Sequence, residues 1–245
     1  MKSQATPGDE SFMKILALDF SSPQRSVAVV DGNGTVSEAM EMGAERTQAF
    51  GMIEVALREA KLEREQIECI VVGLGPGSYT GIRAALSIAQ GWHLGRGVKL
   101  LGISSVEAIA HEAQAQVWSS ALGRQADKNP DRLKAELRTQ DINVVVDAQR
   151  NELYLAGYRV SPDSVQEIVP LRIIARNHVP VGPDEILVGP EVTRWFPSGK
   201  IIFPRAATLA NLARTRTNFV AGEKLEPIYL RETAFVKAPP SRIIM

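Results

Sequence analysis

A strand ending in aspartate occurs twice in this chain. Lys14-Ile15-Leu16-Ala17-Leu18-Asp19 returns 128 residues later as Ile142-Asn143-Val144-Val145-Val146-Asp147. Each copy leads through a polar turn into a second strand, Arg25 to Val30 and Glu152 to Val160. A further turn follows, Asp31-Gly32-Asn33-Gly34 or Ser161-Pro162-Asp163-Ser164, and then a third strand, Thr35 to Met42 or the run that begins Val165 to Val169. Two antiparallel meanders imply two sheets, each needing its own core. At 245 residues and 44% apolar content, the chain can supply both.

The expected fold is therefore α/β and two-lobed, ribonuclease-H-like or actin-like (ASKHA), with duplicated mixed-sheet lobes at 13–117 and 141–235. An exposed, charged insertion at 118–140 joins them, with a short helix expected near 131–138, and polar tails at 1–12 and 236–245 flank them. In such folds the turn after each lobe's first strand points into a shared cleft, so Asp19 and Asp147 should face one another. Two carboxylates there could hold Mg²⁺ through water. Alternatively each closes its own turn by accepting backbone N–H groups. The turn after Asp19, Phe-Ser-Ser-Pro-Gln, has neither glycine nor lysine, which favours the second reading.

Between the meanders lies Gly73-Leu74-Gly75-Pro76-Gly77-Ser78-Tyr79-Thr80-Gly81-Ile82-Arg83. The apolar strand Cys69 to Val72 precedes it, and a helix from about Gly81 to His93 follows, capped by Ser78 or Thr80. Strand, glycine turn and helix N-terminus together present N–H groups to an anion. Gly75, Gly77, Ser78, Thr80, Gly81 and Arg83, with Asp19 and Asp147, are the candidate nucleotide-cleft residues. No Gly-Lys-Ser/Thr ending is present, so this is not a Walker A loop. The glycines could equally serve close packing of helix on sheet.

Helix 47–61 carries Phe50, Ile53, Leu57 and Ala60 on one face, with Met52, Val55 and Ala56 beside it, more apolar surface than one contact requires. Helix 81–93 carries small residues beside Ile82, including Ala85 and Ala89. Phe50, Ile53, Leu57, Ile82, Ala85 and Ala89 are the candidate partner or dimer interface, the alternative being a core packed on two sides. Strand 98–103 and a helix through about Ala115 follow, with Ser104 and Glu107 at capping-box spacing. Strands at 185–188 and 200–203, a helix at 208–216 and an extended Glu226 to Arg231 complete the expected elements.

Lys plus Arg equals Asp plus Glu at 28 each, without the basic excess of a protein that grips nucleic acid alone. The lone cysteine, Cys69, excludes an internal disulfide, and the three histidines lack metal-ligand spacing. No Gly-x-Ser-x-Gly elbow presents a nucleophile. No apolar run reaches the roughly 18 residues of a membrane span, and the expected location is the cytoplasm.

The 73–83 loop with Ser87-Ile88-Ala89-Gln90-Gly91 resembles the signature of the TsaB (YeaZ) family of the bacterial machinery that makes threonylcarbamoyladenosine in tRNA. Ile15 to Phe20, Asp147 to Tyr154 and Glu226 to Arg231 extend the likeness, with Phe20 and Gln149 standing where the family carries Thr and Arg. The resemblance implies an actin-like fold without the metal histidines of the TsaD relative, Glu45-Arg46-Thr47-Gln48-Ala49 lying where they would fall. It implies a non-catalytic scaffold, with no catalytic or metal-binding residue of its own, that pairs with a TsaD-type transferase through helices 47–61 and 81–93. A homodimer through the same helices, a TsaE-type ATPase, ATP or ADP with Mg²⁺ at a shared interface, and tRNA reached through the complex complete that expectation. A nucleotide-hydrolysing or kinase-like enzyme is the alternative. A metallopeptidase, the older glycoprotease-like (M22) label, is a third reading.

Overall fold

The computed structural model describes residues 12–43, 48–123, 139–182 and 185–231. Two five-stranded mixed sheets form an α/β, two-lobed molecule. The first sheet contains β1 (Ile15–Asp19), β2 (Gln24–Val30), β3 (Val36–Met42), β4 (Cys69–Gly73) and β5 (Lys99–Ile103), in the order β3-β2-β1-β4-β5. The second contains β6 (Gln140–Asp147), β7 (Glu152–Ser161), β8 (Ser164–Ala175), β9 (Ile186–Gly189) and β10 (Lys200–Ile201), in the order β10-β9-β6-β7-β8. In both, the aspartate-ending strand is central, antiparallel to the next strand and parallel to a later one. The duplicated meander is thus present, and the likeness to an actin-like or ribonuclease-H-like fold holds.

The central strands are apolar on both faces because helices cover both. On one face of the first sheet, α1 (Ala49–Ala60) and α2 (Tyr79–Arg96) bury Leu16, Leu18, Phe20, Val27 and Val29. On the other, α4 (Ala206–Ala213) buries Ala17, Ala28, Val30, Val71 and Leu101. The N-terminus of α4 is satisfied by the sheet. Ser26 Oγ accepts from Ala206 N–H at 2.8 Å, and Glu38 accepts from Ala207 N–H at 3.1 Å while pairing with Arg205. A carboxylate suits the positive end of that short helix.

Two helices cross between lobes. From α3 (Ser105–Gly123), Val106, Ile109, Ala110 and Ala113 pack with Ile142, Val144 and Val146 of the second sheet. After β10 the chain returns to the first lobe through α4, a bridge from Val220 to Leu100, and Leu225 buried beside α2. The expected boundaries at 117 and 141 therefore separate the sheets but not the cores.

Local expectations mostly hold to within a few residues. The helix expected to end near Ala115 continues to Gly123. Residues 124–138, which hold most of the expected insertion and its short helix, lie outside the described residues, as do 1–11, 44–47, 183–184 and 232–245. The expected Ser104–Glu107 capping box is absent. Glu107 pairs instead with Arg216, and Ser105 turns toward Asp19.

Candidate functional site

The glycine loop is closed upon its own protein. Leu74 N–H donates to Ile103 O at 2.8 Å, Gly75 N–H to Ser105 Oγ at 3.1 Å, and Ser78 N–H to Ser21 O at 2.7 Å. Ser78 caps α2 by accepting from Gly81 N–H at 3.3 Å. A Cβ on Gly77 would stand 2.0 Å from Ser21 O, and one on Gly81 2.0 Å from Phe20 O. Both glycines let the loop and helix press against the turn that follows β1. The N–H groups of Gly75, Ser78 and Gly81 already have protein acceptors, so these three serve packing and capping rather than a bound phosphate.

Asp19 is fully buried. Its Oδ1 accepts from Ser21 N–H at 2.9 Å and Ser21 Oγ at 2.6 Å, and its Oδ2 from Ser105 Oγ at 2.8 Å. Burial pushes its carboxyl above the usual aspartate range, against the hydrogen bonds from Ser21 and Ser105. With both oxygens engaged and no route to water, Asp19 does not fit a Mg²⁺ ligand, which corrects that part of the cleft expectation. Asp147, partly exposed, accepts from Gln149 N–H at 2.7 Å and lies 3.7 Å from Arg194. It lines the interlobe space, whereas Asp19 lies behind it, so the two carboxylates do not form a pair open to the cleft. Among the described residues no three His, Cys, Asp or Glu side chains group together. His93 Nδ1 meets Val98 O at 2.7 Å near the end of α2, and burial lowers the pKa of His111.

The open part of the interlobe space is a cleft of about 900 Å³ between the start of α2, the turn after β6 and the extended segment 225–231. That segment straps the lobes together. Gln90 donates to Leu225 O at 3.2 Å and Ile228 N–H to Leu74 O at 3.0 Å, while Arg231 reaches Glu152 at 2.6 Å and Ala148 O at 2.9 Å. The cleft wall carries Tyr79, Tyr154 and Tyr229 with Arg83, Arg150 and Arg231. Tyr79 and Tyr229 have ring centroids 5.9 Å apart, and Arg83 stacks 5.1 Å from the Tyr79 ring centre while donating to its hydroxyl at 2.7 Å. Gln149, Arg150 and Asn151 hold successive φ values of 62°, 54° and 62°, a left-handed run that costs roughly 1–2 kcal/mol per residue for L side chains.

Of the cleft candidates, Gly77, Arg83 and Asp147 line this space; Gly75 and Gly81 are buried structural glycines, and Thr80 is exposed on the first turn of α2. Tyr229, Arg231 and Arg150 were not singled out from sequence. Their signal was the polar turn at 147–154 and the aromatic and basic tail at 226–231, two stretches that only the strap brings together.

The interface candidates divide sharply. Ile53, Leu57, Ile82, Ala85 and Ala89 are between 0% and 4% exposed and belong to the chain's own core. Their helical spacing marks the face toward the sheet, so they cannot meet a partner without unfolding the lobe. Phe50 alone faces out, 65% exposed, with Gly51 and Glu54 exposed nearby. On α2 the outward positions include Gly91, Leu94 and Gly95. Leu94 is 89% exposed, and a Cβ on either glycine would meet nothing within 4 Å. Met40 and Met42 on edge strand β3 are also exposed.

Comparison with known proteins gives three results. The family model described as TsaD, tRNA N6-adenosine threonylcarbamoyltransferase, matches residues 44–122. The tRNA threonylcarbamoyladenosine biosynthesis protein TsaB of Escherichia coli is 27% identical over 251 residues, covering 94% of this chain and 100% of the relative. TsaB of Haemophilus influenzae is 25% identical, covering 94% and 98%. The solved structure of YeaZ from Pseudomonas aeruginosa superposes with a TM-score of 0.68 at 22% identity, over 89% of this chain and all of that one, and so supports the fold. The likeness to TsaB that begins at the glycine loop runs nearly the length of the chain.

Proposed function

Because the chain is a relative of the TsaB (YeaZ) proteins over nearly its whole length, we propose that it serves threonylcarbamoyl modification of tRNA as a non-catalytic subunit. In this reading it docks a TsaD-type transferase through the outward faces of α1 and α2. The observation that carries it is the outward face of α2, where Gly91 in the helix interior and Gly95 in its last turn flank the exposed Leu94. Gly91 costs about 1 kcal/mol relative to alanine in an exposed helix interior, and neither glycine is required by packing within the chain. Their bare backbone, with Leu94 and Phe50 exposed, suits close approach by another helix. The buried face of the same helices anchors that surface rigidly to the first sheet.

The same surface serves a homodimer when the chain is alone. ATP or ADP with Mg²⁺ then belongs to an interface shared in the assembly, with a TsaE-type ATPase as third subunit. Reconstitution tests the reading: tRNA, threonylcarbamoyl donor and the transferase are assayed with and without this chain. Modification should require both proteins, and the chain alone should produce none. Modification by the chain alone, or full activity of the transferase without it, overturns the reading.

A further inference from the structure

The cleft beneath the strap lies at the first turns of α2, at the opposite end of the helix from Leu94 and Gly95, and its wall has an unusual composition. Arg83, Arg150 and Arg231 line it with one carboxylate, Asp147; Arg231 is paired with Glu152 and Asp147 lies 3.7 Å from Arg194, which leaves Arg83 and Arg150 without a carboxylate partner among the described residues. Arg150 makes no hydrogen bond or ion pair among the described residues. Arg83 makes its hydrogen bonds and ring contact with phenols, rather than with a carboxylate. Tyr79 and Tyr229 are 58% and 54% exposed despite their mutual contact, so their rings offer an accessible apolar shelf beside two cations.

A planar ring with an attached anion matches this arrangement. Aromatic faces accept any nucleobase, and guanidinium groups beside them take phosphate. We propose that this cleft binds a nucleotide of single-stranded RNA, its base laid on Tyr79 and Tyr229 and its phosphate held by Arg83 and Arg150. The choice of RNA rests on the tRNA-modification reading above; the nucleotide chemistry does not. Two features favour a strand over a free nucleoside polyphosphate. The cleft continues into a second depression along α2 that shares Arg83 and Tyr229 and is also lined by Glu223 and Glu226, so a ligand can extend beyond one unit there with its base or sugar but not with a phosphate. The glycine loop, in turn, has spent the N–H groups of Gly75, Ser78 and Gly81 within the protein.

The test is fluorescence anisotropy of the full chain with a labelled six-nucleotide single-stranded RNA at low salt, with AMP and ATP as competitors. Tyr229→Ala should weaken binding about tenfold or more, the usual range for one lost stacking partner. Arg150→Gln should lower the slope of log affinity against log salt by about 0.7, one single-strand phosphate contact. Neither variant should impair assembly with the transferase, which separates failure of this site from failure of the docking reading. AMP displacing the RNA at equal molar concentration would confirm the nucleotide chemistry but overturn the strand assignment. Absence of RNA binding, or binding that both variants leave unchanged, overturns the proposal. So does loss of transferase assembly in these variants with RNA binding intact, because the shelf would then be a protein contact.

Discussion

Ser105 Oγ donates to Asp19 Oδ2 at 2.8 Å across 86 residues of sequence, and the same hydroxyl accepts from Gly75 N–H at 3.1 Å. One buried hydroxyl thus joins the end of β1, the glycine loop and the start of α3. Gly73 is part of the same arrangement, since a Cβ there would stand 2.1 Å from Asp19 Oδ2. The strand-terminal aspartate is a structural tie at the lobe junction.

This tie has a pH signature. Burial raises the Asp19 pKa above its ordinary value of 3.8, so the folded state favours the protonated carboxyl. Between the unfolded and folded values the native state binds more protons than the unfolded one, and stability falls as pH rises through that window. Asp19→Asn has no such titration, so its stability relative to wild type should improve as pH rises above about 4. Urea unfolding at a series of pH values checks this, and parallel curves would refute it. Asp19→Ala leaves buried donors without an acceptor and should lose about 1–3 kcal/mol at acid pH, a loss that narrows as pH rises because alanine does not titrate either.

Glycines that look alike in sequence should respond oppositely. Gly81→Ala forces a Cβ against Phe20 O and should destabilise the chain by about 2–3 kcal/mol. Gly91→Ala meets open space and should stabilise the isolated chain by about 1 kcal/mol. If Gly91 exists for close approach of a partner helix, its substitution should also weaken association with the transferase. Thermal unfolding and a binding titration on the same samples read both effects.

Glu38 is the third test. Its side chain is 7% exposed and holds both Arg205 and the N-terminus of α4. Glu38→Ala should cost about 1–3 kcal/mol, because a partly buried guanidinium and a helix N–H lose their acceptor. Hydrogen exchange should show α4 losing protection before the β1–β4 pairing does.

The sheets were readable from sequence because a period of two and a repeated strand–aspartate pattern are local signals. The same is true of α1 and α2, whose apolar spacing located Ile53, Leu57, Ile82 and Ala85 on one face each. What spacing could not reveal is what lies opposite that face. A core-facing stripe and a partner-facing stripe have the same period, and here the stripe faces the sheet. The crossing of α3 and α4 between lobes was equally hidden, since the partners that hold α4, Ser26 and Glu38, lie 180 and 169 residues from the atoms they bond. The tyrosine–arginine cleft was hidden for the same reason: Tyr79 and Tyr229 meet only once the strap has crossed from one lobe to the other.

The docking surface is tested most directly by light scattering of the chain mixed with its TsaD-type partner, comparing wild type with the double variant Phe50→Glu, Leu94→Glu. Both side chains are exposed, so the urea midpoint of the isolated variant should match wild type. Wild type should form a complex of defined mass, and the variant should elute as separate components. A variant that folds normally and assembles with wild-type affinity would contradict docking through the outward faces of α1 and α2.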